Sequence, residues 1–124
     1  MKFASVRLVT RDVARLVGFY NSLSGVEAVH LADGFAEVRL EGITLAISAQ
    51  RLIELFNASA ATAAANQSAI LEFEVTDVET VFDRMAAYGA PIVMAPTTMP
   101  WGNRSLLLRD PDGNLVNVFA RPAR

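Results

Sequence analysis

The chain has 124 residues, 52% of them apolar and 19% charged, with a formal net charge of −2 and no cysteine. The near-neutral balance excludes a strongly basic nucleic-acid surface. Zero cysteine excludes disulfides, thiolate zinc sites and a cysteine nucleophile, and no apolar run approaches the roughly 18 residues of a membrane span. A domain of this length buries about two-thirds of its unfolded surface. The expectation is a soluble cytoplasmic domain, with no nucleic-acid or membrane partner.

Residues 3–10 alternate as a strand, with Phe3, Ser5, Arg7 and Val9 on one face and Ala4, Val6 and Leu8 on the other. Asp12 is placed to cap a helix. Val13, Leu16, Val17, Tyr20 and Leu23 recur at helical spacing as one apolar face. Gly25 suits the left-handed position that ends such a helix. Strands are predicted near 26–32, 35–41 and 43–49, joined by the turns Asp33-Gly34 and Glu41-Gly42. Leu52, Leu55 and Phe56 suggest a short amphipathic helix. The Ala-rich run from Ala58 to Gln67 either prolongs it or forms a connector.

The second half repeats the plan. Residues 69–76 alternate with Leu71, Phe73 and Val75 on one face, and Asp77 is placed to cap a helix. Val78, Val81, Phe82 and Met85 form its apolar side, and Gly89 closes it. Strands follow near 90–95, 103–109 and 114–121, the last two joined by Asp110-Pro111-Asp112-Gly113, a strong turn signature. The interval from Gly42 to Gly113 exceeds that from Asp12 to Asp77, and the surplus is assigned to Pro96-Thr97-Thr98-Met99-Pro100-Trp101. The pattern is an α+β fold of two tandem βαβββ modules in one domain, about 1–49 and 68–124, with 50–67 between them.

In each module the first strand crosses over a helix before the sheet resumes, so one sheet face must be apolar to receive the helix. Val6 and Leu8, then Leu71, Phe73 and Val75, serve. The opposite face carries Ser5, Arg7 and Val9, then Ile70, Glu72, Glu74 and Thr76. Arg7, Glu72 and Glu74 suit neither a closed core nor a uniformly polar surface. The mixture points to a partly enclosed concave surface of the kind that binds ligands, with a solvated face or a dimer seam as the alternatives. The second strand of each module is apolar on both faces (Val26, Ala28 and Val29; Ile92, Val93 and Met94), and such edges need pairing or covering.

The organisation resembles the vicinal oxygen chelate superfamily of glyoxalase I, extradiol dioxygenases, fosfomycin-resistance enzymes and bleomycin-resistance proteins. The resemblance is carried by Val6-Arg7-Leu8-Val9-Thr10-Arg11-Asp12-Val13 with Phe19-Tyr20, by the echo Phe73-Glu74-Val75-Thr76-Asp77-Val78 with Gly89, and by Trp101-Gly102-Asn103-Arg104 leading to Asp110-Pro111-Asp112-Gly113-Asn114. It implies curved mixed sheets around a cleft, usually in a homodimer.

In the members that do metal chemistry, the resemblance implies histidine and carboxylate ligands on the first and last strands of each module, holding a divalent ion that polarises vicinal substrate oxygens. Here those positions hold Ser5, Ile70, Asn117 and, in the first module, a place near Leu45. None is a histidine or carboxylate, so neither a metal nor another cofactor is expected. The only histidine, His30, lies in the second strand, away from these positions. Glu72 and Glu74, with Glu37 approaching, leave a carboxylate site for a hard ion as an alternative.

The chain contains no Ser-His-Asp arrangement, nucleophile elbow or phosphate-cradling glycine loop. Among the superfamily's members the resemblance is then greatest to the metal-free bleomycin-resistance type, which implies drug sequestration as in antibiotic resistance. The expected function is metal-independent binding of a small molecule, planar or cationic. Its expected contacts are Ser5, Arg7, Glu72 and Asn117 on the cleft floor, Glu74 near the rim, Trp101 as a stacking surface and Arg104 as a hydrogen-bond donor. No catalytic residue is assigned. Two alternatives stay open. One is a lyase, isomerase or dioxygenase with an atypical metal site, or with Glu72 or Glu74 as general base. The other is a non-catalytic interaction domain. Each candidate also has a structural reading: Trp101 packs a loop or a dimer contact, Arg104 pairs with Asp110 or Asp112, and Glu72 and Glu74 pair with Arg7 or Arg39.

Overall fold

The computed structural model describes residues 1–123 and divides into two compact units, Met1–Ala65 and the chain from Asn66 on. The first unit runs β1 (Ser5–Thr10), α1 (Val13–Ser24), β2 (Val29–Ala32), β3 (Phe35–Arg39), β4 (Thr44–Ala49) and α2 (Gln50–Phe56). The second runs β5 (Ile70–Glu74), α3 (Val78–Tyr88), β6 (Ile92–Thr98), β7 (Arg104–Arg109) and β8 (Leu115–Ala120). Each forms a four-stranded mixed sheet, ordered β1-β4-β3-β2 and β5-β8-β7-β6. β1 is parallel to β4 and β5 to β8, and the other pairings are antiparallel. The fold is α+β, two tandem βαβββ modules. Among the described residues no helix is long and apolar enough to cross a membrane.

Both crossover helices begin and end as their residues dictate. Asp12 accepts a hydrogen bond from the Arg15 amide and Asp77 one from the Thr80 amide, satisfying a helix donor that has no acceptor within the helix. Gly25 and Gly89 end the helices at φ 72° and 95°, where a side chain would be strained. α1 buries Leu16, Val17, Phe19, Tyr20 and Leu23 against the sheet side that carries Leu8, Ala36, Val38, Leu45 and Ile47, all buried. Phe19 and Tyr20 meet edge to face with centroids 4.9 Å apart. α3 buries Val78, Val81 and Met85 over Leu106, Leu108, Val116 and Val118. Truncating any one of the larger of these side chains to alanine costs about 2–5 kcal/mol.

The structure corrects several predicted boundaries. β1 begins at Ser5, and Phe3 lies outside it and exposed. β2 begins at Val29 because α1 side chains take the preceding amides: Val26 N–H donates to Ser24 Oγ and Ala28 N–H to Asn21 Oδ1. Pro96, Thr97 and Thr98 are not an inserted loop but the end of β6. Proline has no ladder donor, and β6 tolerates it as an edge strand whose register shifts between Met94 and Thr97.

In α2 the buried residue is Ile53. Leu52 is half-buried, and Leu55 and Phe56 are exposed. The Ala-rich run does not prolong α2. Instead Gln50 binds it, donating to Ala61 O and accepting from Ala63 N–H. Asn66 both donates to Ala69 O and accepts from its amide.

Candidate functional site

Strand alternation decides which side chains share a face. In the second unit, the sheet face turned away from α3 carries Glu72 and Glu74 from β5, Asn117 and Phe119 from β8, and Leu107 and Arg109 from β7. The register sets Asn117 between Glu72 and Leu107. Asn117 Nδ2 donates to Glu72 Oε2 at 2.8 Å. Rotating the amide would set its oxygen against a carboxylate, so this orientation follows from charge. It leaves Asn117 Oδ1 buried without a hydrogen-bond partner. A buried acceptor left unpaired is costly, and a donor supplied from outside the sheet would relieve it. Glu72 and Asn117 thus present a carboxylate and an amide oxygen side by side.

At the end of this face Arg121 Nε lies 3.3 Å from Glu74 Oε2, and its guanidinium carbon sits 5.6 Å from the centre of the Phe119 ring. Glu74 is therefore paired with Arg121, and not with Arg7 or Arg39. Trp101 stands in the β6–β7 turn, 69% exposed, with the turn closed by Met99 N–H to Asn103 O and Gly102 N–H to Met99 O.

Arg104 is on the other side of the sheet. It shares the parity of buried Leu106 and Leu108, and its guanidinium binds Glu79 of α3 at 2.6 Å and Thr98 Oγ1 at 3.2 Å. It pairs with neither Asp110 nor Asp112 and does not join Glu72 and Asn117.

In the first unit, Ser5 and Arg7 lie on the face turned away from α1, with Ala46 of β4 and Glu37 of β3. Arg7 Nη2 donates to Asn57 Oδ1 at 3.1 Å, which brings the end of α2 to the Arg7 side of the sheet. Glu37 is paired with its strand neighbour Arg39 at 3.1 Å. The register moves the expected position near Leu45 by one residue. Leu45 pairs with Val6 and Val38 on the helix side, and Ala46, opposite Arg7, corresponds to Asn117 opposite Glu72.

At the positions the resemblance singles out, the first unit offers a hydroxyl at Ser5 and a methyl at Ala46, and the second a sec-butyl group at Ile70 and an amide at Asn117. Such a donor set does not fit a catalytic cation. Among the described residues, no three His, Cys, Asp or Glu side chains are grouped to hold a metal ion.

Three partners escaped the sequence reading: Asn57 for Arg7, Arg121 for Glu74 and Glu79 for Arg104. Each is distant in sequence or outside the motifs, and only the folded chain brings it near.

The comparisons agree with this architecture. The Burkholderia phytofirmans PsJN glyoxalase/bleomycin resistance protein/dioxygenase family enzyme superposes with a TM-score of 0.85 at 20% identity, covering 97% of this chain and 98% of that one. A glyoxalase/bleomycin resistance protein/dioxygenase from Nocardioides gives 0.80 at 24% identity, over 98% and 84%. A glyoxalase-related enzyme from Fulvimarina pelagi gives 0.83 at 22% identity, over 98% and 88%. At these identities the likeness speaks for the fold. No curated protein matches the sequence. The family model described as Glyoxalase/Bleomycin resistance protein/Dioxygenase superfamily matches residues 2–118. Nearly the whole chain lies within that match, and the protein belongs to this superfamily.

Proposed function

We propose that the protein binds a small molecule without a metal, as bleomycin-resistance-type members of the superfamily do, and that the ligand carries a cationic or N–H donor group. The observation that carries this reading is Asn117 Oδ1, buried and unpaired beside the Glu72 carboxylate. Two adjacent acceptors suit a donor-bearing ligand and repel an anion. Trp101, exposed in the β6–β7 turn, supplies a flat surface for a planar ring system. Ser5 and Arg7 stand on the corresponding sheet face of the first unit. Arg104, bound to Glu79 across the sheet, is the weakest of the expected set. The reading includes a homodimer: β2 and β6 are sheet edges, and Val29, Leu31 and Val93 stand exposed on them, where pairing with a second copy would cover them.

Trp101 is the only tryptophan, so its fluorescence is a clean reporter. Saturable quenching by planar cationic drugs is the expected result, retained in protein carrying no metal. A diverse panel that produces no saturable change sinks the binding reading. A stoichiometric ion required for binding, found in protein purified without chelators, sinks its metal-free form. Sedimentation as a monomer across a wide concentration range removes the dimer.

A further inference from the structure

We propose that the first unit holds a separate site for a small organic anion, in an open groove of about 620 Å³ at the end of its sheet that Arg11, His30 and Arg51 help to line. That volume lies within the range of small-ligand clefts. The groove is lined only by first-unit residues and shares none with the Glu72–Asn117 face, so it does not depend on the binding function proposed above.

Charge favours an anion. Two arginines line the groove against one carboxylate, Asp33, and His30 adds an imidazole able to hydrogen-bond. Asp33 pairs with Arg51 at 3.0 Å, but its side chain is 99% exposed. An exposed pair of this kind contributes little and is readily exchanged for another anion. Arg51 also lies close to the β2–β3 turn. A Cβ built on Gly34 would come within 2.8 Å of Arg51 Nη2, so the guanidinium lies directly over that glycine in the β2–β3 turn. Guanidinium groups recognise carboxylate and phosphate oxygens.

The remaining wall includes Val13, Ala14 and Ala49. An anion with an aliphatic body therefore gains burial that a bare ion does not. The occupant this chemistry fits is a carboxylate or phosphate bearing a short apolar chain.

His30 is the only histidine, so its Cε1 proton gives one NMR signal that reports on the groove. Hexanoate, inorganic phosphate and chloride are titrated at constant pH and ionic strength. Hexanoate is expected to shift the His30 signal saturably, and about tenfold more tightly than phosphate, because of its alkyl chain. Arg51→Gln and Arg11→Gln are expected to weaken the hexanoate response severalfold, while Lys2→Gln, outside the groove, leaves it in place. Asp33→Asn, which removes the competing carboxylate, is expected to tighten it. No saturable shift overturns the proposal, as do equal responses to hexanoate and phosphate, or arginine variants that bind as well as the unaltered chain. Folding of each variant is checked by circular dichroism. Should an arginine variant fail to fold, Asp33→Asn decides: tighter binding supports the site and unchanged binding overturns it.

Discussion

Asn117 and Glu72 face each other across a parallel strand pair and share one hydrogen bond of 2.8 Å, after which the amide oxygen of Asn117 has nothing left to accept from. The pair stands where metal-dependent relatives are expected to present a ligating carboxylate on β8. Here the amide is a donor to Glu72 instead. The pair thus sets two hydrogen-bond acceptors side by side on this face.

Glu72→Gln removes the charge while keeping the shape. With a cationic ligand in hand, the substitution should weaken binding by about 1–3 kcal/mol, the range for hydrogen bonds to charged groups. Calorimetric titration of both proteins measures it. Unchanged affinity in a proven complex would remove Glu72 from the site.

Asn117→Asp would set two carboxylates on adjacent strands where an amide and a carboxylate now bond. Like charges at this separation raise the proton affinity of the pair in the folded state. An acid whose folded pKa is raised destabilises the fold once pH exceeds its ordinary pKa. The variant should therefore match the parent near pH 3 and fall behind it by about 1 kcal/mol or more at neutral pH. Urea unfolding at several pH values tests this. A constant difference across the range would mean that the two side chains are not in contact.

How much of this was legible beforehand follows from which interactions are local. The helix limits could be read because Asp12, Gly25, Asp77 and Gly89 act on residues within one turn of themselves. Strand faces could be read from alternation, and Val6, Leu8, Leu71 and Phe73 do turn to the helices. Register could not, because a shift of one residue exchanges the two faces. The length of the Met99–Asn103 turn decides the parity of β7, and with it the placement of Arg104 beside Glu79 rather than beside Asn117. The same one-residue ambiguity separates Leu45 from Ala46. The groove of Arg11, His30 and Arg51 joins the β1–α1 loop, β2 and α2, and no motif connects those residues in sequence.

Asp77 gives the α3 cap a pH signature. The Thr80 hydroxyl donates to its carboxyl at 2.7 Å and the Thr80 amide at 3.2 Å. Led by the hydroxyl bond, these hold its pKa below the ordinary value of 3.8. A carboxyl with a depressed folded pKa contributes stability that is present above its unfolded pKa and lost as pH falls through the folded one. Asp77→Ala should lower the melting temperature by a few degrees at neutral pH. The gap should narrow below about pH 4 and close in stronger acid. A gap that persists unchanged in acid would show that the charged cap is not its source.

A large effect on stability is expected at Asp110, in the turn between β7 and β8. It is 3% exposed, and Asn114 beside it 4%. Asp110 Oδ1 accepts from the amides of Asp112 and Asn114 at 2.9 and 3.0 Å, and Oδ2 from Asn114 Nδ2 at 2.7 Å. Asn114 Oδ1 in turn accepts from Asn66 Nδ2 at 3.1 Å, so the carboxylate organises both the hairpin and the start of the second unit. Asp110→Ala strips these three donors of that acceptor. A buried donor without a partner costs about 1–3 kcal/mol, and water entering the vacated space offsets part of it. The net loss should be about 3–5 kcal/mol. Asn114→Ala removes one side-chain donor together with the link to Asn66, and should cost less. Equilibrium urea unfolding measures both. If Asp110→Ala lost under about 1 kcal/mol, the network would be ornament to a turn already determined by Pro111 and Gly113.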